Sequence, residues 1–153
     1  MQSRMVYAIL ALSLLAAMAV FALTNPSYEK AFEARWQYFM GNYDEAYKIA
    51  KEAYELDRYN RMAFTVMTQT EVAKRYLDYI REGERYLELI EDTANHPPIG
   101  EADKVRIKMM CEVMIGRYEQ LSATKLTDRE LVERAKEIYD KFKSLYASLF
   151  KQK

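Results

Sequence analysis

The sequence predicts an all-α protein, with an N-terminal transmembrane helix followed by antiparallel helical hairpins. Two observations support this fold class. Residues 5–23 carry no charge, and as a helix they extend about 28 Å, close to the hydrocarbon thickness of a bilayer. The chain of 153 residues has only four glycines and three prolines. Few positions can therefore interrupt regular structure, and long helices with short loops are expected.

Composition divides the chain into a tail and transmembrane helix, residues 1–25, and one helical domain, residues 26–153. The formal net charge is zero, so no overall field attracts nucleic acid, and we expect no nucleic-acid partner. One cysteine and one histidine exclude an internal disulfide and a zinc cluster of the usual spacing. Because glycine is scarce, no phosphate-binding loop or nucleophile elbow can be assembled. The sequence predicts no enzyme, with no catalytic residue, metal site or cofactor.

The apolar N-terminal segment has two interpretations. Arg4 precedes it, and residues 17–19 or 20–22 have the small-residue pattern of a signal-peptide cleavage site. The apolar run is longer than a usual signal core, which favours a retained anchor that contacts the lipid bilayer through residues 5–23. A short basic tail before a first span usually stays in the cytoplasm. We therefore expect a single-pass protein of the bacterial inner membrane, with residues 26–153 in the periplasm.

The first helix of the domain begins directly after the anchor. Asn25 can cap it, and Pro26 suits its first position. Gly41 is expected to end it. Aromatic residues at four- and three-residue steps predict an amphipathic helix with an aromatic apolar face: Tyr28, Phe32, Trp36 and Phe39.

The next helix carries a stripe of small residues, Ala46, Ala50 and Ala53, which lets a neighbouring helix approach closely. This region resembles the second half of a tetratricopeptide repeat. The resemblance is carried by Gly41, Asn42, Tyr43, Asp44, Glu45, Ala46, Ala53, Tyr54, Glu55, Leu56, Asp57 and Asn60. The family's proline after Leu-Asp is Arg58 here. The resemblance implies a tetratricopeptide-like (TPR-like) α-solenoid, in which stacked helix pairs form a concave protein-binding surface.

Residues 61–94 have the length of a second repeat. Arg75 and Ile80 stand where the family has glycine and alanine, so this repeat is degenerate. The alternative is one long helix from Asn60 to about Asp92. Gly83 would then lie inside a helix, at a cost of about 1 kcal/mol relative to alanine.

The C-terminal part predicts a further hairpin, residues 101–150. It follows a loop at residues 95–100, where two prolines cannot continue a helix. Its first helix is apolar nearly all round, so we expect it to be covered on most sides. A capping box, residues 127–130, opens the last helix, which runs to about Phe150. We expect this hairpin to cap the repeats. Its broad apolar face also suits a homo-oligomer or docking into a larger membrane complex.

Most reactive side chains have a structural interpretation. His96 is expected to be solvated or to pack in the proline loop, and Cys111 to be inert buried filler in a helix rich in methionine. The carboxylates of residues 82–92 alternate with arginines, as on a solvated helix face.

The functional prediction follows from the family resemblance. In the family's register the partner-binding groove is lined by Tyr28, Arg35, Tyr38, Thr65 and Gln69. The resemblance implies a membrane-anchored scaffold or assembly factor whose partners are other proteins. The alternative is a permanently bound accessory subunit of a larger integral membrane complex, such as a secretion, motility or respiratory assembly.

Overall fold

A computed structural model describes residues 2–150, and in these it contains six α-helices and no strand. The predicted all-helical class is therefore confirmed. The chain divides into two compact units, the first ending at Glu71 and the second beginning at Val72. The helices are α1 (Gln2–Thr24), α2 (Pro26–Phe39), α3 (Tyr43–Leu56), α4 (Arg61–Asn95), α5 (Glu101–Glu119) and α6 (Arg129–Phe150).

Helix α1 is long and apolar enough to cross a membrane, and the stretch Arg4–Phe21 has no buried residue. By length and composition a signal sequence has the same properties. The finding supports a membrane-directed segment at the N-terminus, and it fits a retained anchor and a signal equally well.

The predicted junction between α1 and α2 is observed. Asn25 has extended backbone angles (φ −89°, ψ 115°), and Pro26 is the first residue of α2. The Asn25 Oδ1 atom accepts a hydrogen bond from the Ser27 amide at 3.0 Å. At the other end of α2, Gly41 has a φ of +78°, a conformation that glycine adopts without strain. The turn brings α3 back against α2 as a helical hairpin.

The aromatic face predicted for α2 is not the face that the first unit buries. Its buried residues are the small ones, Ser27, Ala31 and Ala34, whereas Phe32, Trp36 and Phe39 are exposed. The reason lies in α3, whose predicted alanine stripe is completely buried. Small residues on both helices allow a close approach of the backbones that a large ring would prevent. The fully buried residues of the α3 stripe are Ala46, Ala50 and Ala53.

A buried chain of hydrogen bonds joins three segments of the first unit. The Asn60 Nδ2 group donates to Ser27 Oγ at 2.8 Å, and Ser27 Oγ donates to the Ala53 carbonyl oxygen at 2.8 Å. The Asn60 Oδ1 atom accepts from the amides of Met62 and Ala63, at 3.0 and 3.1 Å. Asn60 therefore caps α4 and links it through Ser27 to the start of α2 and the end of α3.

Helix α4 is continuous from Arg61 to Asn95. The degenerate second repeat, which requires a turn near residue 75, is therefore wrong, and the alternative of one long helix is correct. Gly83 lies inside this helix, as the long-helix alternative requires.

In the second unit, residues 72–95 of α4 pack with α5 and α6. Tyr79 contacts Tyr118 with ring centroids 5.8 Å apart, and Glu82 forms an ion pair with Arg117. Tyr118 also stacks on Tyr139 at 4.3 Å. Residues later in α4 and in α6 contact residues earlier in α5, so α5 runs antiparallel to both helices. The core of the second unit includes Ile107, Cys111, Met114, Leu131, Ala135, Ile138 and Phe142.

Two local predictions in this hairpin need correction. Helix α5 is not covered on most sides, because Val105, Met109 and Val113 are exposed; its charged residues lie on the remaining surface. Helix α6 begins one residue later than the capping box predicts. Asp128 caps it, accepting from the Glu130 amide at 2.9 Å, while the Thr127 hydroxyl oxygen accepts from the Thr124 amide at 2.8 Å.

Candidate functional site

The five predicted partner-binding residues all lie in the first unit. Tyr28 is half-buried at the α1–α2 junction, and its ring meets Phe21 edge-on with centroids 6.1 Å apart. Arg35 is exposed, and its guanidinium lies over the Phe39 ring at 5.6 Å. Tyr28 therefore contacts the end of α1, and Arg35 contacts an exposed ring of α2.

The other three predicted residues lie on α2 and α4. Tyr38 is half-buried against the core cluster of Ala34, Ile49, Ala50 and Val66, and it meets Tyr43 edge-on at 5.3 Å. Thr65 is exposed on α4, and Gln69 is half-buried. Arg35 and Thr65 are thus the most accessible of the five, and partner binding by this set remains a prediction.

The aromatic face that the sequence predicts for α2 includes an exposed row of three rings. We call Phe32, Trp36 and Phe39 the aromatic stripe. They are 48%, 64% and 69% exposed, and their four- and three-residue spacing makes them neighbours on one helix face. Single exposed apolar residues are ordinary, but a contiguous row marks a contact surface.

One ion pair links α2 to α3. Lys30 Nζ donates to Glu52 Oε2 at 2.7 Å. This hydrogen bond and the attached charge raise the pKa of Lys30 and lower the pKa of Glu52. Both side chains are substantially exposed, so water and salt screen the pair and it adds little stability.

A groove lies between α4 and α6 in the second unit, with a volume of about 930 Å³. We call it the α4–α6 groove. Its apolar lining comes from one side of each helix, where Ile90 is buried and Leu87 and Leu145 are half-buried. The lining residues are Leu87, Ile90, Glu91, Ala94, Glu137, Asp140, Lys141, Ser144, Leu145 and Ser148.

The edge of this groove is predominantly acidic. Glu91, Glu137 and Asp140 face one cation, Lys141, and all four are exposed. An apolar floor between carboxylates suits the apolar face of an amphipathic helix whose flanks carry lysine or arginine. In the sequence, Leu87 and Ile90 lie on one side of the long helix, which does not indicate a groove. Their partial exposure depends on how α6 lies, which has no local signal.

The structure gives the surroundings of the potentially reactive side chains. In the part of the chain that the structure describes, no group of three His, Cys, Asp or Glu residues could hold a metal ion. Cys111 is fully buried as expected, and burial raises the pKa of its thiol to about 11. At neutral pH the thiol is protonated, which makes it a poor nucleophile. His96 is exposed, with Nδ1 2.8 Å from the Asp92 carbonyl oxygen.

Comparison with protein-family models, with curated proteins and with solved structures found no match. Two surfaces of this chain, the aromatic stripe and the α4–α6 groove, therefore provide the basis for assigning a function.

Proposed function

We propose that this protein is a membrane-anchored scaffold that binds a helical segment of another protein. Helix α1 holds it in the bilayer, and the α4–α6 groove receives the partner segment. The groove is the observation that carries the proposal, because it combines an apolar floor, an acidic edge and a volume of about 930 Å³. Such grooves suit amphipathic helices, with burial providing affinity and complementary charge providing selectivity.

The membrane part of the proposal rests on α1. Its side chains from Arg4 to Phe21 are uncovered, and so many exposed apolar residues are stable only in lipid. A four-residue tail with one arginine precedes the apolar run, which favours a cytoplasmic N-terminus. The domain then lies across the membrane, in the periplasm of a bacterium.

The tetratricopeptide resemblance supports a protein-binding role for the first unit as well. The α2–α3 hairpin has the small-residue contact of that family, and the buried Asn60 caps the helix that follows. We propose a single tetratricopeptide-like hairpin here, with Arg35 and Thr65 as its accessible binding residues. No second hairpin of this kind is proposed, because α4 is continuous.

A defined peptide tests the groove. The probe is a labelled amphipathic helix with leucines on one face and lysines on both flanks, and fluorescence anisotropy measures its binding to the full chain in nanodiscs. A matched peptide with glutamates in place of the lysines should bind at least about tenfold more weakly, because like charges face each other. Binding of the basic peptide should weaken as salt is added.

Charge reversal in the protein gives the complementary test. Glu137→Lys with Asp140→Lys should reverse the preference between the two peptides. Glu130→Lys is the matched control, since Glu130 is exposed on the same helix and does not line the groove. Equal affinity of both peptides for both groove forms would refute the proposed site.

A permanently bound accessory subunit is the second candidate, and a separate observation favours it. Val105, Met109 and Val113 form an exposed apolar row on α5 at four-residue steps. Rows of this kind are typical of obligate interfaces, which are more apolar than transient ones. Stoichiometric co-purification with integral membrane proteins in mild detergent, lost in Met109→Glu, would favour this role over the scaffold.

A further inference from the structure

We infer that the aromatic stripe of α2 lies in the headgroup region of the same bilayer that holds α1. The occupant of this exposed apolar face is thus lipid rather than protein. This inference rests on the proposed membrane anchorage. It adds a second contact with the membrane, made by a helix that lies along the bilayer surface.

The first argument is proximity to the end of the spanning helix. Asn25 alone separates α1 from α2. The Tyr28 ring lies edge-on against Phe21, with centroids 6.1 Å apart, and Phe21 lies close to the end of the uncharged run of residues 5–23. Helix α2 therefore begins where the hydrocarbon ends. The interfacial layer beyond it is about 5–7 Å deep on each side.

The second argument is the interruption at Asn25. Its extended backbone (φ −89°, ψ 115°) separates two helices, so α2 is not a straight continuation of α1. A straight continuation would carry the end of α2 about 20 Å from the hydrocarbon. A break at the membrane surface instead allows α2 to lie along the interface, which keeps all three rings of the stripe within the interfacial layer.

The third argument is which face of α2 remains uncovered. Ser27, Ala31 and Ala34 are buried in the first unit. On a helix of 3.6 residues per turn, Phe32, Trp36 and Phe39 point about half a turn away from them. The hairpin partner α3 covers the small face, so the stripe is presented on the side away from α3.

The chemistry of α2 matches an interfacial helix. Tryptophan and tyrosine are enriched at membrane interfaces, where an apolar ring and a polar N–H or O–H both find suitable surroundings. Arg35 lies over Phe39, and its long side chain can reach lipid phosphate while its stem stays beside the rings. Helix α2 has two acidic and two basic residues, so a zwitterionic bilayer should suffice.

The chain provides its own probe, because Trp36 is its single tryptophan. The full-length protein is placed in phosphatidylcholine nanodiscs, one copy per disc. The lipids are unlabelled, brominated near the headgroup end of the chains, or brominated near the chain ends. We expect blue-shifted Trp36 emission, with a large loss of intensity from the shallow bromines and a smaller loss from the deep ones.

A matched variant moves the tryptophan to the far side of the hairpin. The double substitution Trp36→Phe with Lys48→Trp places the tryptophan on the outer, exposed face of α3. Packed helices are about 8–10 Å apart, so this tryptophan lies further from the lipid by about that distance. Its emission should be that of tryptophan in water, without bromine quenching. A second variant, Phe32→Glu with Phe39→Glu, changes exposed residues only and should reduce quenching of Trp36 while α1 stays inserted.

Anchorage is measured separately, by whether the chain stays with vesicles after an alkaline carbonate wash. Retention with a water-like, unquenched Trp36 would overturn the lipid contact and leave the anchor standing. Retention with blue-shifted but unquenched emission would also overturn it, because a protein surface or a second copy would then cover the stripe. Release of the chain by the wash would overturn both the anchor and the lipid contact.

Discussion

Replacing Gly83 with alanine tests the packing of the second unit. Gly83 lies inside α4, where alanine is intrinsically better by about 0.8–1.0 kcal/mol. A Cβ atom at this position would lie 2.4 Å from Ile138 Cγ2, 3.0 Å from Met114 Cε and 3.5 Å from Phe142 Cε2. Ordinary carbon contacts lie at about 3.5–4.0 Å, so the neighbours would have to move.

The identity of the neighbour decides the sign of the effect. Met114 Cε is the end of a flexible chain and can turn away. The Ile138 γ-methyl belongs to a β-branched side chain with one strongly preferred rotamer in a helix, so it cannot turn without moving α6. Overpacking of this kind costs about 1–3 kcal/mol. After the gain in helix propensity of about 0.8–1.0 kcal/mol is subtracted, we expect Gly83→Ala to destabilise the folded state by about 0–2 kcal/mol.

Gly116→Ala is the matched control, since Gly116 is also helical and a Cβ there would meet no atom within 4 Å. It should stabilise by about 0.5–1 kcal/mol. Urea unfolding of the full chain in mild detergent, followed by circular dichroism, gives both midpoints. In a double-mutant cycle, Gly83→Ala should lower the free energy of unfolding less in an Ile138→Ala background than in the unchanged chain. A rise in the urea midpoint for Gly83→Ala equal to that for Gly116→Ala would refute the reasoning.

Three further predictions concern buried polar groups. The Tyr79 hydroxyl is buried with no hydrogen-bond partner among the described residues, so Tyr79→Phe should be neutral or raise the free energy of unfolding by up to about 1–2 kcal/mol; a lower thermal midpoint would show that the hydroxyl has a partner. Asn60→Ala removes the α4 cap and leaves buried donors unpaired, so it should lower the free energy of unfolding by about 2–3 kcal/mol, whereas Asn42→Ala, at a helix start without a side-chain cap bond, should cost far less in the same urea titration. Burial raises the pKa of the Cys111 thiol to about 11, so its contribution to stability is complete below the unfolded pKa and is lost as pH rises from about 8.5 towards 11. Iodoacetamide labelling of the folded chain at pH 8 should therefore be slow and accelerate in urea, and fast labelling without urea would contradict the buried position.

Local signals predicted the helices well. The Asn25–Pro26 start of α2, the Gly41 turn and the loop at residues 95–100 depend on backbone chemistry within a few residues, and each is observed. The start of α6 lies only one residue from its predicted position, because Thr127 and Asp128 are both good capping residues. The glycine at position 83 has no local explanation in the sequence, because the contact that leaves no room for a Cβ atom comes from α6.

The helix faces were harder to predict, since burial depends on which partner a helix meets. Hydrophobicity favoured the rings of α2 as its core face, yet a matching pair of small-residue stripes on α2 and α3 decided the packing. Ala31 and Ala34 were the available signal. The α4–α6 groove could not be derived, because it depends on the alignment of helices separated by the whole of α5.

The one-residue connection at Asn25 also limits how freely the hairpin can swivel on its anchor. The ring of Pro26 fixes its own φ, and it restricts the backbone of Asn25 before it. In the membrane-anchored protein that we propose, α1 tilts when the bilayer thickness changes, and the restricted connection makes the α2–α3 hairpin tilt with it. The orientation of the surface that this hairpin presents would then depend on membrane thickness.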